Sequence, residues 1–509
     1  MIQVPELTSV TIVALLSVVV GVLLTNKIYG AKSQAQALPL PPRIPVPTHW
    51  LFGQKLPLKY PSLAIAKWVD NLGPLISMTQ GRQPVVVIGR YKAAMDIMER
   101  QGGLLVDRPR SIAAGELFAG GMSILLTPAG ERFKRMRRAL HTHLQPKAAE
   151  GYEHLQMDNA KTTILDLLQE PDQFQNHARK YAATVIQKIA YGKNTPSPAS
   201  DPEVQSIRKS FDVLRDALRP GAYLVDSFPF LKYLPWYGRK LRREHEVITG
   251  VYLRQLDRVK QELKAGKAGL CFGSYILEHN QEYGLSEKEI AYLAGAFFSA
   301  GSDTTAIAIC TFMFAAARHP AAQAKVHEEL DSIVGNERAP TFADESKLPQ
   351  LQAFMMESMR WRPVVALGLP HRATEDIIWE NYVIPAGTTV YGNHWAISRD
   401  PQVFPDPEKF DPQRWIDDDG QFRHDIKFPT FGFGRRICPG LHVANRSLFI
   451  NAALILWSFR SSLHETEPID DLSLSVGIVP ELPPSTMKFE PRIDAKELES
   501  IMEKYPEGM

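Results

Sequence analysis

The sequence has few cysteines and almost no excess of either charge, and each scarcity excludes a class of protein. Its 509 residues include 3 cysteines, Cys271, Cys310 and Cys438, which lie far apart. This excludes a disulfide scaffold and a structural zinc site built on cysteine pairs, and it fits a reduced compartment. Lysine and arginine number 58 against 56 acidic residues. Because a nucleic-acid-binding protein usually has a larger basic excess, we expect no nucleic-acid partner.

Internal repeats, long charged tracts and flavin- or nicotinamide-binding motifs are also absent from the sequence. The hydrophobic fraction is 44% and the charged fraction is 22%. These values are ordinary for a globular protein and exclude a disordered or collagen-like chain. A chain of this length usually folds as two or three domains, unless a large cofactor organises a single one.

One long uncharged run lies near the N-terminus, at residues 7–25. About 20 apolar residues cross the core of a bilayer as a helix, so this run predicts a single-pass membrane anchor within residues 1–30. Basic residues follow the run, and the positive-inside rule therefore places the rest of the chain on the cytosolic side. A cleaved signal peptide is the alternative. It requires basic residues before the run and a cleavage site after it, and the sequence matches both requirements poorly.

A proline-rich stretch at residues 38–47 follows the predicted anchor. It predicts a stiff, extended hinge, within residues 31–50, that holds a globular body off the membrane. The body, residues 51–509, reads as mainly helical. Residues 75–89 predict a hairpin with Gln80 and Gly81 at its turn, and residues 377–393 predict further short strands.

The most apolar part of the body is residues 290–317, which follow a capping box formed by Ser286 and Glu289. The length of this run would allow a second membrane span. Small and polar residues interrupt its centre, however, at Gly301, Ser302, Asp303, Thr304 and Thr305. We therefore predict a long helix that crosses the middle of a soluble domain.

The most specific motif is FGFGRRICPG at residues 431–440. Its glycines allow a tight turn and close approach of the backbone to another group. It matches every fixed position of the pattern F-G-x-G-x-R-x-C-x-G, through Phe431, Gly432, Gly434, Arg436, Cys438 and Gly440. The chain therefore resembles the cytochrome P450 family, whose haem-binding loop has this pattern. A buried free cysteine in a glycine-rich turn is the alternative.

The resemblance implies the cytochrome P450 fold, which is mainly α with minor β-sheets, in one catalytic domain around haem b. Cys438 would be the axial ligand of the haem iron, and its thiolate would favour cleavage of the O–O bond. Phe431 would shield the sulfur and tune the potential. Arg436 would pair with a haem propionate.

The central helix carries AGSDTT at residues 300–305, which matches the family's motif for oxygen activation. On that resemblance Ala300 and Gly301 leave room for dioxygen and substrate. Thr304 would hold a water by a hydrogen bond, and Asp303 would relay protons. The alternatives are a satisfied buried carboxylate for Asp303 and hydrogen bonds from the threonines to the preceding turn.

Five more positions match structural and cofactor motifs of the family. Glu357 and Arg360 form E-x-x-R on one helix face, and FDPQRW supplies Arg414 as their partner, so all three would have a structural role. Arg137 and His371 match positions that contact haem propionates, while Phe133 stands where the family usually has tryptophan. The basic run around Arg137 is either a solvated helix face or a docking surface for an acidic redox partner.

The implied reaction inserts one oxygen atom of O2 into a hydrophobic small molecule, with electrons from NADPH. The absence of a flavin motif assigns electron delivery to NADPH-cytochrome P450 reductase, with cytochrome b5 as a second candidate donor. The sequence is most similar in style to fungal microsomal members, which act in secondary metabolism and on xenobiotics, and this places it in the endoplasmic reticulum membrane. A haem-thiolate isomerase or dehydratase and a non-enzymatic haem sensor are the alternatives; Asp303 and Thr304 favour the oxygenase.

The substrate is the part that the sequence defines least. Apolar residues predicted to line its pocket are Ile112, Leu117, Phe118, Phe297, Phe298, Val365, Leu367 and Ile478. Stripes of this kind belong to a protein core more often than to a pocket, which is the alternative for each of them.

Overall fold

The computed structural model describes residues 38–57, 59–81, 83–219, 221–464 and 487–506. The predicted membrane anchor, part of the predicted hinge and Ile478 lie outside these ranges. The described chain is mainly helical with small sheets, as the sequence predicts.

Long helices form most of the body and are numbered here in chain order. They are α1 (Pro61–Leu72), α2 (Glu131–Leu144), α3 (Glu153–Gln169), α4 (Phe174–Tyr191), α5 (Pro202–Leu218), α6 (Arg239–Lys264), α7 (Glu287–Arg318), α8 (Pro320–Ile333), α9 (Pro349–Trp361), α10 (Leu441–Ser458) and α11 (Ala495–Lys504). Shorter helical segments of α, π or 3-10 geometry are Tyr91–Ala93, Ala94–Arg100, Ile112–Phe118, Pro146–Glu150, Pro171–Gln173, Leu224–Asp226, Pro229–Tyr233, Phe272–Glu278, Asn280–Tyr283, Phe342–Lys347, His394–Ile397, Pro412–Trp415 and Gly434–Arg436.

Within the described ranges, three small sheets accompany the helices. Their strands are β1 (Leu75–Gln80), β2 (Gln83–Ile88), β3 (His371–Arg372), β4 (Ile377–Trp379), β5 (Tyr382–Ile384), β6 (Thr389–Gly392), β7 (Phe459–Leu463) and β8 (Met487–Pro491). The first sheet has the order β1-β2-β6-β3, and the others pair β4 with β5 and β7 with β8. The predicted hairpin is confirmed, since Leu75 pairs with Ile88 and Gln80 with Gln83 in an antiparallel register.

The central helix α7 has the boundaries that its sequence signals predict. At its start Glu289 N–H donates to the Ser286 hydroxyl at 3.3 Å, and the Glu289 carboxylate accepts from Ser286 N–H at 2.8 Å. Within the described ranges, α7 is long and apolar enough to cross a membrane, but 67% of its most apolar stretch is buried inside the protein. The helix packs against α4, α6 and α10. It is therefore the core helix of the body.

Part of the predicted hinge pairs with the first sheet. Pro42 O accepts from Ser77 N–H at 2.7 Å, and Ile44 N–H donates to Ser77 O at 3.0 Å, so the segment lies along strand β1. Ile44 is buried. Residues 42–44 therefore pack against the globular body along β1. The boundary between hinge and body stays a prediction.

Candidate functional site

The cysteine loop is a tight turn closed by its own backbone. Cys438 N–H donates to Phe431 O at 2.9 Å, which brings the two ends of the motif together. Gly432 and Gly434 have φ angles of +85° and +51°, a region that residues with a Cβ rarely occupy. Burial raises the pKa of the Cys438 thiol, while Gly440 N–H and the charge of Arg137 act in the opposite direction. These two neighbours would stabilise a thiolate.

Three arginines lie in the electrostatic field of this loop. Burial lowers the pKa of Arg108 to about 9 and that of Arg436 to about 10, and the charge of Arg436 contributes to the shift at Arg108. Burial also lowers the pKa of Arg137, while the charge of Cys438 acts in the opposite direction and raises it. The nearby carboxylate of Asp107 is already engaged by Arg372, at 2.8 Å, and by Ala129 N–H, at 2.7 Å. The group therefore carries a net positive charge.

Arg436 is held by two backbone carbonyls and an aromatic ring. Its Nε donates to Val106 O at 2.6 Å, and a terminal nitrogen donates to Thr127 O at 2.7 Å. The guanidinium carbon lies 3.5 Å from the centroid of the Phe133 ring, a cation–π contact. Phe133 therefore has a defined role in this chain: it supports Arg436, although it lacks the N–H of the tryptophan that the family usually has there.

His371 lies at the same end of the body, on strand β3. Its Nδ1 is 2.7 Å from Leu105 O, which orients the ring. Burial lowers the pKa of His371 to about 3, and the charge of Arg108 adds to the effect. Arg108 itself donates to Leu125 O at 3.1 Å and to Pro370 O. Sequence reasoning missed Arg108, which lies directly after Asp107 and two residues before a second arginine, Arg110.

The donor set around Cys438 suits a flat ligand that carries carboxylates and a metal ion. Within the described residues Arg137 makes no hydrogen bond or ion pair, so its guanidinium is available to an anion. Carboxylates satisfy buried guanidinium groups by charge-assisted hydrogen bonds. A thiolate is a strong ligand for iron. The residues present therefore fit haem, with Cys438 as the iron ligand and the arginines as propionate partners.

The motif at residues 300–305 occupies the middle of α7. Ala300 is exposed there, although Phe298 and Ser302 on either side of it are buried, so the helix borders an open space at this point. The Thr304 hydroxyl donates to Ala300 O at 2.6 Å, the back-bonding that was the alternative reading. Its oxygen lone pairs remain available to accept a hydrogen bond. Asp303 is half-buried beside it.

Gly301 faces a neighbouring helix. A Cβ on this residue would lie 2.7 Å from Cγ1 and 2.8 Å from Cδ1 of Ile186 in α4. The missing side chain therefore allows α4 and α7 to approach closely. This packing role differs from the predicted contact with dioxygen and cofactor, which stays a prediction.

Glu357, Arg360 and Arg414 form one buried network. Arg360 donates twice to the Glu357 carboxylate, both at 2.7 Å, and Arg414 donates to it at 3.2 Å. Trp415 Nε1 donates to the same carboxylate at 3.0 Å, a contact that sequence reasoning missed. Arg360 also donates to three carbonyls, those of Ser398, Pro407 and Lys409. The network joins α9 to the 404–415 loop.

Most of the described pocket candidates lie in packed clusters. The Phe297 ring lies 4.7 Å from that of Phe272, and Phe298 packs edge-on against Tyr191. Both phenylalanines are buried because α7 is covered on these faces, and their place in the substrate pocket stays a prediction. Ile112, Leu117 and Phe118 are buried against α5 and α6.

Val365 and Leu367 are partly exposed and remain pocket predictions. They occupy a turn closed by a hydrogen bond from Gly368 N–H to Val365 O at 3.1 Å.

The basic run on α2 is partly consumed by ion pairs. Arg132 binds Glu289 at 2.6 Å, which ties α2 to the start of α7, and Lys134 binds Glu131 at 2.6 Å. Arg138 is exposed. A docking surface on this helix would therefore rest on fewer cations than the sequence suggests.

Comparison with known proteins assigns the family. The cytochrome P450 family model matches residues 39–489. The chain is 47% identical to cytochrome P450 monooxygenase 113 of Postia placenta, over 94% of this chain and 97% of that protein. It is 34% identical to a cytochrome P450 monooxygenase of Armillaria gallica, over 86% of each. The chain therefore belongs to the cytochrome P450 family, and it is a monooxygenase of that family.

A solved structure agrees on the fold. A zebra fish cytochrome P450, in a structure with abiraterone, superposes with a TM-score of 0.68 at 23% identity, covering 85% of this chain and 100% of that one. Membership of the family implies haem and the use of dioxygen. It also implies a redox partner that supplies electrons and a hydrophobic substrate.

Proposed function

We propose that this protein is a membrane-anchored monooxygenase that inserts one atom of O2 into a hydrophobic small molecule, a secondary metabolite or a xenobiotic. The observation that carries the proposal is the cysteine loop with its group of buried arginines, which fits haem b. NADPH supplies two electrons through NADPH-cytochrome P450 reductase, with cytochrome b5 as a second candidate donor. The second oxygen atom leaves as water.

The residues of this chain have separate tasks in that reaction. Haem would supply the activation of dioxygen. Cys438 would hold the iron, and Arg108, Arg137, Arg436 and His371 would hold the propionates. Ala300 leaves space beside α7, and Thr304 accepts a hydrogen bond from water. Asp303, which is half-buried, delivers protons. The apolar turn at Val365 and Leu367 would contact the substrate.

The proposed location is the endoplasmic reticulum membrane, and an exposed aromatic surface supports contact with a membrane. Trp50 is 81% exposed and Trp236 is 60% exposed, and Phe230 and Tyr233 are also exposed. The two segments meet at Gly81, where an added Cβ would lie 2.9 Å from Ser227 Oγ and 3.9 Å from Leu51 O. Tryptophan and tyrosine prefer the interface between membrane and water. In the sequence Trp50 is the last residue of the predicted hinge, which follows the predicted anchor.

The first experiment is the carbon-monoxide difference spectrum of the reduced full-length protein in membranes, with Cys438→Ala as the matched control. We expect a red-shifted Soret band, typical of thiolate opposite carbon monoxide, in the wild type only. A band typical of histidine-ligated haem, or no haem in folded protein, would refute the proposal.

A second variant tests the proton-relay assignment. Thr304→Ala should keep its haem and divert most reducing equivalents to hydrogen peroxide, because the hydroxyl that orients water is lost. The measurement is peroxide formed per NADPH consumed, with added reductase and an alkoxycoumarin as surrogate substrate. Tight coupling of NADPH to product in this variant would contradict the role of Thr304. A haem-thiolate isomerase, the alternative, would consume no NADPH in either form.

A further inference from the structure

The segment of the chain just before Arg108 lies against the cysteine loop. Phe433 is buried in the same apolar cluster as Met98, and Arg436 donates to Val106 O at 2.6 Å. Residues 98–106 therefore lie along residues 433–436. We call residues 98–106 the cradle segment.

The closest approach between the cradle segment and the loop is made by backbone alone. A Cβ on Gly434 would lie 2.8 Å from Met98 O and 3.0 Å from the Cα of Gly102. Gly434 also has a positive φ of +51°. Because no side chain fits between the two segments, the position of this glycine depends on the hydrogen bonds of its own peptide groups.

One carboxylate holds that glycine. Glu99 Oε2 accepts from Gly434 N–H at 2.8 Å, and Glu99 Oε1 accepts from Lys427 Nζ. Glu99 thus connects two points of the chain that lead into the loop. Burial opposes ionisation of Glu99, but the hydrogen bonds from Lys427 and Gly434 outweigh it and lower the pKa of the carboxyl. The group is charged at neutral pH.

The contact at Gly434 continues to the cysteine. Gly434 O accepts from Ile437 N–H at 3.2 Å, and Cys438 N–H donates to Phe431 O at 2.9 Å. A displacement of the Gly434 peptide therefore moves the residue next to the thiol. Arg435 and Arg436 belong to the turn itself, whereas Glu99 reaches it from outside.

We propose that Glu99 is a positioning residue for Cys438: its carboxylate accepts the Gly434 N–H and thereby holds the loop in the geometry that presents the sulfur as a ligand. The inference rests on the proposed haem-thiolate function. Loss of the acceptor leaves a backbone N–H without its charged partner in a half-buried turn, which favours opening of the loop.

The test follows the thiolate form of the reduced, carbon-monoxide-bound protein during mild heating, in the full-length chain in membranes. Glu99→Ala should lose this form about tenfold faster than wild type, the factor that corresponds to about 1.4 kcal/mol for a lost charge-assisted hydrogen bond. Glu99→Gln keeps an oxygen acceptor and should restore most of the lifetime. Arg100→Ala, on the same helix and exposed, should match wild type.

Two outcomes overturn the assignment. If the proposal holds, the thiolate form has a shorter lifetime in Glu99→Ala than in Arg100→Ala, so equal lifetimes refute it. A lifetime for Glu99→Gln as short as that of Glu99→Ala also refutes it, because the effect would then come from charge and not from the acceptor. Lys427→Ala removes the ion pair with Glu99 and leaves the hydrogen bond from Gly434 N–H in place, so the lifetime of its thiolate form should stay close to that of wild type.

A second readout does not need haem. Hydrogen exchange at the Gly434 amide should be about tenfold faster in Glu99→Ala and unchanged in Arg100→Ala, with or without cofactor. If the wild type shows no thiolate band, the proposed function fails while the exchange measurement still decides the role of Glu99. If Glu99→Ala does not fold, Glu99→Met, which has a similar length and no acceptor oxygen, replaces it in both measurements.

Discussion

At the scale of single residues, one carboxylate organises the loop that precedes the cysteine motif. Glu357 has no exposed side-chain surface, and neither has Arg360. The Glu357 carboxylate also accepts from Asp411 N–H at 2.8 Å and from the Trp415 indole. A buried ion pair adds little net stability as a whole, but removing one partner strands the other charge. The network is therefore sensitive to single substitutions.

Glu357→Ala should lower the free energy of unfolding by about 3–5 kcal/mol, because Arg360 is left buried without its counter-ion. Denaturant titration followed by tryptophan fluorescence measures the change. Asp425→Ala is the control, since its ion pair with Arg423 lies at the surface and should change stability by less than about 1 kcal/mol. Equal effects of the two variants would contradict the buried-network interpretation.

At the scale of elements, close contact between helices explains two glycines of α7. A Cβ on Gly295 would lie 2.4 Å from the Tyr252 ring of α6, and Gly301 meets Ile186 of α4 in the same way. Helix α7 is thus clamped on two sides by helices that need glycine opposite a large side chain. The motif at residues 300–305 combines this packing requirement with the opening at Ala300.

Gly301→Ala should destabilise the protein by about 1–3 kcal/mol, because overlap with Ile186 outweighs the better helix propensity of alanine. Ile186→Ala removes the overlapping atoms. A double-mutant cycle should therefore show a favourable coupling of about 1 kcal/mol or more, measured by thermal unfolding. Purely additive effects, or a Gly301→Ala variant more stable than wild type, would show that Gly301 is not a packing residue.

At the scale of the whole molecule, buried histidines make stability depend on pH. Burial lowers the pKa of both His319 and His327 to about 4, and neighbouring arginines add to the shift. An unfolded histidine has a pKa of about 6.5. Between these values the unfolded chain binds protons that the folded protein does not, so stability falls as the pH drops through this window.

The free energy of unfolding should therefore decrease steadily from about pH 6.5 to about pH 4, measured by urea titration at a series of pH values. His327→Gln should make this decrease shallower, because the unfolded chain then has one fewer histidine that binds a proton only after unfolding. His424→Gln, at an exposed position, should leave the slope unchanged. An identical slope in all three proteins would contradict the assigned role of His327.

The sequence by itself predicted the family, the mainly helical class and the network of Glu357, Arg360 and Arg414, while the role of Cys438 as a ligand stays a prediction. The cysteine motif and the E-x-x-R pair are patterns of residues a few positions apart, and Arg414, 57 positions from Glu357, was found through its own short motif, FDPQRW. The hairpin and the start of α7 were predictable for the same reason, because a turn and a capping box are local structures.

The tertiary structure alone decided which residues meet across the chain. Glu99 and Gly434 are 335 positions apart, and the contact of Phe133 with Arg436 and the place of Arg108 also depend on distant segments. It showed that Phe297 packs against Phe272 and Phe298 against Tyr191, and it placed residues 42–44 along β1. No local spacing encodes these contacts, because they follow from how helices and loops pack to bury apolar surface and satisfy their polar groups.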